Sequence, residues 1–136
     1  MPSYSILVVD DEQPMLDIIQ RVLTEAGHRV VTASNGREVG EILAQVRVDL
    51  VMTDLLMPER DGTEVIAELR KTHPSTPIVA MSGGGRMPRG EYLKIAKLFG
   101  AHAILEKPFT NEQLLSTIEL LVPDQKAATR SGLGPR

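Results

Sequence analysis

Short apolar runs alternate with amphipathic segments along the chain, and the spacing of apolar positions switches between continuous and helical as it goes. The runs Ser5–Val9, Arg29–Ala33, Leu50–Thr53, Ile78–Met81 and Ala103–Leu105 read as strands, most of them apolar at nearly every position, as strands covered on both faces are. Between the first two runs, Met15, Ile18, Ile19, Val22, Leu23 and Ala26 recur at helical spacing. Pro14 suits the first turn of that helix and Gly27 its C-terminal cap. A second helix is predicted after Asn35-Gly36 from Val39, Ile42, Leu43 and Val46, and a third after Asp61-Gly62 from Val65, Ile66 and Leu69. A fourth is predicted over Tyr92–Phe99, beyond a glycine-rich loop running from Ser82 to Gly90. The last helix opens on Thr110, with Gln113 three residues on as a capping box. It carries Leu114, Leu115, Ile118, Leu121 and Val122 on its buried side and stops at Pro123.

Strands and helices in strict alternation call for an α/β fold. The expected form is a flavodoxin-like, doubly wound, five-stranded parallel sheet in the order 2-1-3-4-5, with helices on both faces. One domain is expected over residues 1–122. Residues 123–136, rich in Ala, Gly, Ser and charge, are expected to form a disordered tail because they have little to bury. The whole chain of 136 residues carries a formal net charge of −3 and no basic block, so no attraction to nucleic acid or to a membrane surface is expected. It has no cysteine, which removes any disulfide framework or thiolate metal site. No apolar stretch approaches the ~20 residues of a membrane span. The first apolar run runs too soon into Asp10-Asp11-Glu12 for a secretory signal, so a cytoplasmic location is expected.

In an open parallel sheet the binding crevice lies beyond the C-terminal strand ends, where the winding direction reverses. Asp10 and Asp11 follow the first strand, Asp54 the third and Lys107-Pro108 the fifth, so three carboxylates and an ammonium are expected to share one pocket. Oxygen donors of this kind suit a hard divalent cation, and the same cluster suits handling of a phosphoryl group. Asp10, Asp11 and Glu12 would also sit well at the N-terminus of the first helix for electrostatic reasons alone. His28, His73 and His102 lack ligand spacing and are expected on the surface or in loops. Gly83-Gly84-Gly85 runs into Arg86-Met87-Pro88 rather than Gly-Lys-Ser/Thr, so no phosphate-binding loop of the nucleotide type is expected. An aspartate-nucleophile phosphohydrolase would need a second Asp two residues after its nucleophile, whereas Asp10 is followed by Asp11 and Glu12.

The acidic pair Asp10-Asp11, Asp54 within DLLMPERDG, Ser82, and Lys107-Pro108-Phe109 together resemble the receiver domain of two-component response regulators, from about Tyr4 to Val122. The resemblance implies a stand-alone, single-domain response regulator whose Asp54 takes a phosphoryl group from a sensor histidine kinase or a histidine phosphotransfer protein. It implies Mg²⁺, or Mn²⁺ in its place, ligated by Asp11, Asp54 and the backbone carbonyl of Leu56, with Asp10 acting through a bound water. Lys107 would neutralise charge on the phosphoryl oxygens, and Ser82 would donate to one of them as the switch. Such a protein promotes its own phosphorylation and dephosphorylation, is not an enzyme acting on other substrates, and signals by binding a downstream protein. Helix one and the loop after strand five, with Gln13, Pro14, Met15, Pro108 and Phe109, would face the phosphodonor protein. The alternative within the same fold is a scaffold that is never phosphorylated. Ile104 stands three residues before Lys107, where receivers commonly carry an aromatic residue, and the Ser82–Lys107 stretch is about three residues longer than usual. Both departures bear on the switch. The peptide before Pro108 would be cis by the family's habit.

Overall fold

The computed structural model describes residues 3–55, 62–83, 91, 94 and 97–122. In chain order these form β1 (Ser5–Val9), α1 (Gln13–Glu25), β2 (Arg29–Ala33), a 3₁₀ turn (Gly36–Glu38) leading into α2 (Val39–Gln45), β3 (Leu50–Asp54), α3 (Gly62–Thr72), β4 (Ile78–Gly83), β5 (Ala103–Lys107) and a last helix, Asn111–Leu121. Residues 97–99, inside the predicted fourth helix, are helical. The expected tail 123–136, Leu56, Asp61 and the loop residues from Gly84 to Gly90 lie outside the described residues.

All strands run parallel in one sheet ordered β2-β1-β3-β4-β5, as the alternation predicted. β1 pairs with β2 on one side and β3 on the other, so the winding reverses at β1 and a crevice opens at the C-terminal ends of β1 and β3. The pleat sends alternate side chains to two cores. Ile6, Val8, Leu50, Met52, Val79, Met81 and Leu105 meet Leu16, Ile19 and Leu23 of α1 and Leu114 and Ile118 of the last helix. Leu7, Val9, Val51, Ile78 and Ala80 meet Val39 of α2 and Val65, Ile66 and Leu69 of α3 on the opposite face. With both faces covered, β1 and β3 are buried along their whole length. Each fully buried large aliphatic side chain stabilises the fold by about 1.5–3 kcal/mol.

Local signals explain most of the helix ends. Pro14 occupies the first turn of α1, and the helix closes as Ala26, Gly27 and His28 donate to the carbonyls of Val22, Thr24 and Leu23. Gly27 adopts φ +100°, a left-handed conformation that costs a glycine little. The Asn35 side chain accepts from Arg37 N and opens the 3₁₀ turn. Thr110 and Gln113 form the reciprocal capping box of the last helix at 3.0 and 2.8 Å.

Several expectations needed correction. β3, β4 and β5 each run past their predicted ends, because the ladder continues through Asp54↔Met81, Ser82↔Glu106 and Gly83↔Lys107 after the apolar residues stop. Backbone pairing, not hydropathy, ends these strands. Ile18 is 55% exposed on the flank of α1, since Leu16, Ile19 and Leu23 already fill the contact with the sheet. α2 stops at Gln45, so Val46 is an extended, exposed residue rather than part of its apolar stripe.

Candidate functional site

Asp10 directly follows β1, and its N–H donates to Ala33 O at 3.1 Å, which carries the β1–β2 ladder one step further. Asp54 closes β3, and Lys107 closes β5. By pleat parity these three continue the rows of Ile6 and Val8, of Leu50 and Met52, and of Leu105, all of which face the α1 side of the sheet. They therefore converge although 97 residues separate the first from the last. Lys107 Nζ donates to Asp10 Oδ2 at 2.7 Å and to Asp54 Oδ2 at 3.3 Å, and lies 3.6 Å from Glu12 Oε1. Asp10 is fully buried, Asp54 is 7% exposed, and the Lys107 side chain is 11% exposed. Carboxylate oxygens of Asp10, Asp11 and Asp54 all lie within 4.8 Å of one another. The Lys107–Pro108 peptide is cis.

Burial works against the charged form of Lys107. The hydrogen bond to Asp10 and the charges of Asp54 and Asp10 outweigh it and hold the ammonium's pKa above its ordinary value. Its stabilising contribution is therefore fully present below the ordinary lysine range and is lost only as pH rises through the raised value. One ammonium faces three converging carboxylates, and the remaining negative charge is what a divalent cation would neutralise. All the donors are oxygens, which fits Mg²⁺ or Mn²⁺. Glu12 N donates to the other Asp10 oxygen, Oδ1, at 2.9 Å, so both oxygens of that buried carboxylate are satisfied.

Ser82 lies inside β4, buried at 6% exposure, one residue beyond the partner of Asp54. It follows Ile78 and Ala80 in the pleat and so leans to the opposite face from Lys107. Among the described residues no hydrogen bond joins its hydroxyl to Asp54 or Lys107. Ile104 packs, partly buried, on the core beneath α2 and α3. The structure thus brings Asp10, Asp11, Asp54 and Lys107 together and places Ser82 alongside; the Leu56 carbonyl lies outside the described residues.

Three contributors escaped the sequence reading. Glu12 reaches Lys107, and its place as the third acidic residue in the motif was the available signal. Thr53 Oγ1 donates to Asp54 O at 3.1 Å, and Gly62 packs against the same oxygen. Thr53 carries no pattern in the sequence that names it, and Gly62 closes the DLLMPERDG run without a sign there of what its missing side chain clears. His28 and His102 do more than occupy the surface, since their Nδ1 atoms accept from Tyr4 N at 3.2 Å and Ile78 N at 3.0 Å.

A doubly wound sheet with an acidic cluster and a lysine at its switch point defines a class of phosphoryl-handling signalling domains. The profile of the response regulator receiver domain matches residues 6–119, and the chain belongs to that family, placing it in two-component signalling. It is 33% identical over 124 residues to the transcriptional regulatory protein GlrR of Escherichia coli, covering 91% of this chain and 27% of that protein. It is 34% identical over 133 residues to the response regulator MprA of Mycolicibacterium vanbaalenii, covering 94% of this chain and 56% of that one. The chain therefore spans about a quarter to a little over half the length of these relatives. The chemotaxis protein CheY4 of Vibrio cholerae superposes with a TM-score of 0.80 at 30% identity, covering 88% of this chain and 99% of that one. No helix among the described residues is long and apolar enough to cross a membrane.

Proposed function

We propose that Asp54 is the phosphoacceptor of a Mg²⁺-dependent receiver acting as a single-domain response regulator over residues 1–122. The observation that carries this reading is Lys107 Nζ bridging Asp10 and Asp54 inside a cluster of three carboxylates. An Asp54 carboxylate oxygen attacks the phosphorus of a phosphohistidine on a histidine kinase or phosphotransfer protein. The O–P bond forms as the N–P bond breaks, and the bonding electron pair stays on the imidazole nitrogen. Lys107, held charged, is released from Asp54 toward a phosphoryl oxygen while Asp10 keeps it anchored. Ser82 supplies a hydroxyl to a second oxygen from the neighbouring strand. Asp11, Asp54 and the Leu56 carbonyl would ligate Mg²⁺, with Asp10 acting through water, and the ion would neutralise charge on the transferring group.

Phosphorylation adds roughly two negative charges and three acceptor oxygens at the edge of β3, which biases the β4–β5 region and its protein-binding surface. Output then passes through a downstream protein that binds this surface. Intact-mass analysis after incubation with acetyl phosphate tests the phosphoacceptor. The expected result is a Mg²⁺-dependent gain of one phosphoryl group that Asp54→Ala abolishes. A parent chain that takes up nothing from acetyl phosphate or from a histidine phosphodonor protein would favour the non-phosphorylated scaffold instead.

A further inference from the structure

Gly62 opens α3, the element that follows β3 and its terminal Asp54 in the chain. A Cβ built on Gly62 would collide with the carbonyl oxygen of Asp54 and lie 2.7 Å from Leu55 Cα and 2.9 Å from Asp54 C. All three are backbone atoms, which cannot swing aside as a flexible side-chain tip can. Gly62 N donates to Leu55 O at 3.0 Å, while Leu55 N donates to Met81 O at 3.0 Å. The peptide that follows Asp54 is thus gripped between β4 and the first turn of α3. Thr53 Oγ1 holds the same Asp54 oxygen from within β3.

We propose that Gly62 is a positioning residue for Asp54: its bare Cα lets α3 press on the Asp54 carbonyl, fixing the carboxylate at its height relative to Asp10, Asp11 and Lys107. The inference rests on Asp54 being the phosphoacceptor. A side chain at position 62 must push the start of α3 or the Asp54 peptide outward, and a displacement near 1 Å suffices to misalign an in-line transfer and a shared metal shell. Gly40, the second residue of α2, gives the matching control, because a Cβ there meets nothing within 4 Å. Val65, buried one turn further along α3, gives a second control, because truncating it loosens the packing of α3 on the sheet without adding a Cβ against the Asp54 carbonyl.

The experiment compares the parent chain with Gly62→Ala, Gly40→Ala and Val65→Ala. It measures the rate of phosphoryl gain by intact mass over a series of acetyl phosphate concentrations, Mg²⁺ affinity by calorimetry, and the melting temperature. The expected Gly62→Ala protein is folded at the assay temperature, transfers about 10- to 100-fold more slowly at saturating donor, and binds Mg²⁺ more weakly. Gly40→Ala matches the parent in rate and Mg²⁺ affinity, and Val65→Ala loses melting temperature without losing rate. Should Gly62→Ala fail to fold by circular dichroism, Thr53→Val takes its place, because it frees the same carbonyl oxygen; transfer on the order of 3- to 10-fold slower is then expected. Parent-like rate and Mg²⁺ affinity in a folded Gly62→Ala, a slowing equal to that of Val65→Ala, or an unchanged Thr53→Val where that variant decides, overturns the positioning role alone. A parent with no Mg²⁺-dependent uptake from acetyl phosphate or from a histidine phosphodonor protein overturns the phosphoacceptor reading as well, so the two failures are told apart.

Discussion

His28 and His102 occupy matching places in the fold. Each directly precedes a strand, β2 or β5, and accepts a backbone N–H near the start of the neighbouring strand, from Tyr4 or Ile78. An Nδ1 that accepts must be unprotonated, and burial, the leading cause, lowers both pKa values; for His102 the nearby Arg70 charge acts in the same direction. The unfolded chain takes up a proton near pH 6.5, before the folded one does. Stability from these contacts is therefore full above that value and lost as pH falls through the lowered folded value. Melting temperatures taken from pH 7.5 down to 5.0 should fall less steeply for His102→Asn, whose amide oxygen can accept from Ile78 N at any of these pH values. Parallel curves for parent and variant would refute this linkage.

Among the elements, α2 is the least well made. It is seven residues long, continues directly from a 3₁₀ turn, and carries Gly40 as its second residue, inside that continuous helical run, with open space where a Cβ would stand. A helix-interior glycine costs about 0.5–1 kcal/mol relative to alanine. Gly40→Ala should raise stability by about that much, seen as a melting temperature higher by a few degrees. An unchanged or lower value would show that α2 needs the glycine for another reason. The better-formed helices owe their ends to signals readable in the sequence: Pro14 and Gly27 for α1, Thr110 with Gln113 for the last helix. The strand ends were harder to read, since Ser82 and Lys107 belong to strands by backbone pairing that polar side chains do not advertise.

For the molecule as a whole, the cost of gathering Asp10, Asp11 and Asp54 sets a dependence on cations. Three carboxylates within 4.8 Å repel one another, and Lys107 offsets only part of that. A cation that binds only the folded chain stabilises it by about 1.4 kcal/mol at ten times its dissociation constant. Thermal unfolding with millimolar Mg²⁺ should therefore shift upward by about 3–6 °C. Asp11→Asn should remove most of that shift. A parent melting temperature indifferent to Mg²⁺ would count against the cluster as a cation site.

Hydrophobic periodicity was enough to predict the alternation of strands and helices and most of the core, because burial on both faces of a parallel sheet leaves continuous apolar runs and one-sided helices, and the flavodoxin-like form of such folds supplied the sheet order. Asp10, Asp11, Asp54 and Lys107 were also legible, since strand ends on one edge of a doubly wound sheet must come close together. Pairwise geometry was not. That Lys107 binds Asp10 more closely than Asp54, that Glu12 joins them, and that Gly62 must lack a side chain to clear the Asp54 carbonyl all depend on how distant segments meet. Contacts between residues far apart in the chain leave no periodic trace along it, so they become visible only once the sheet has closed and α3 has packed onto the end of β3.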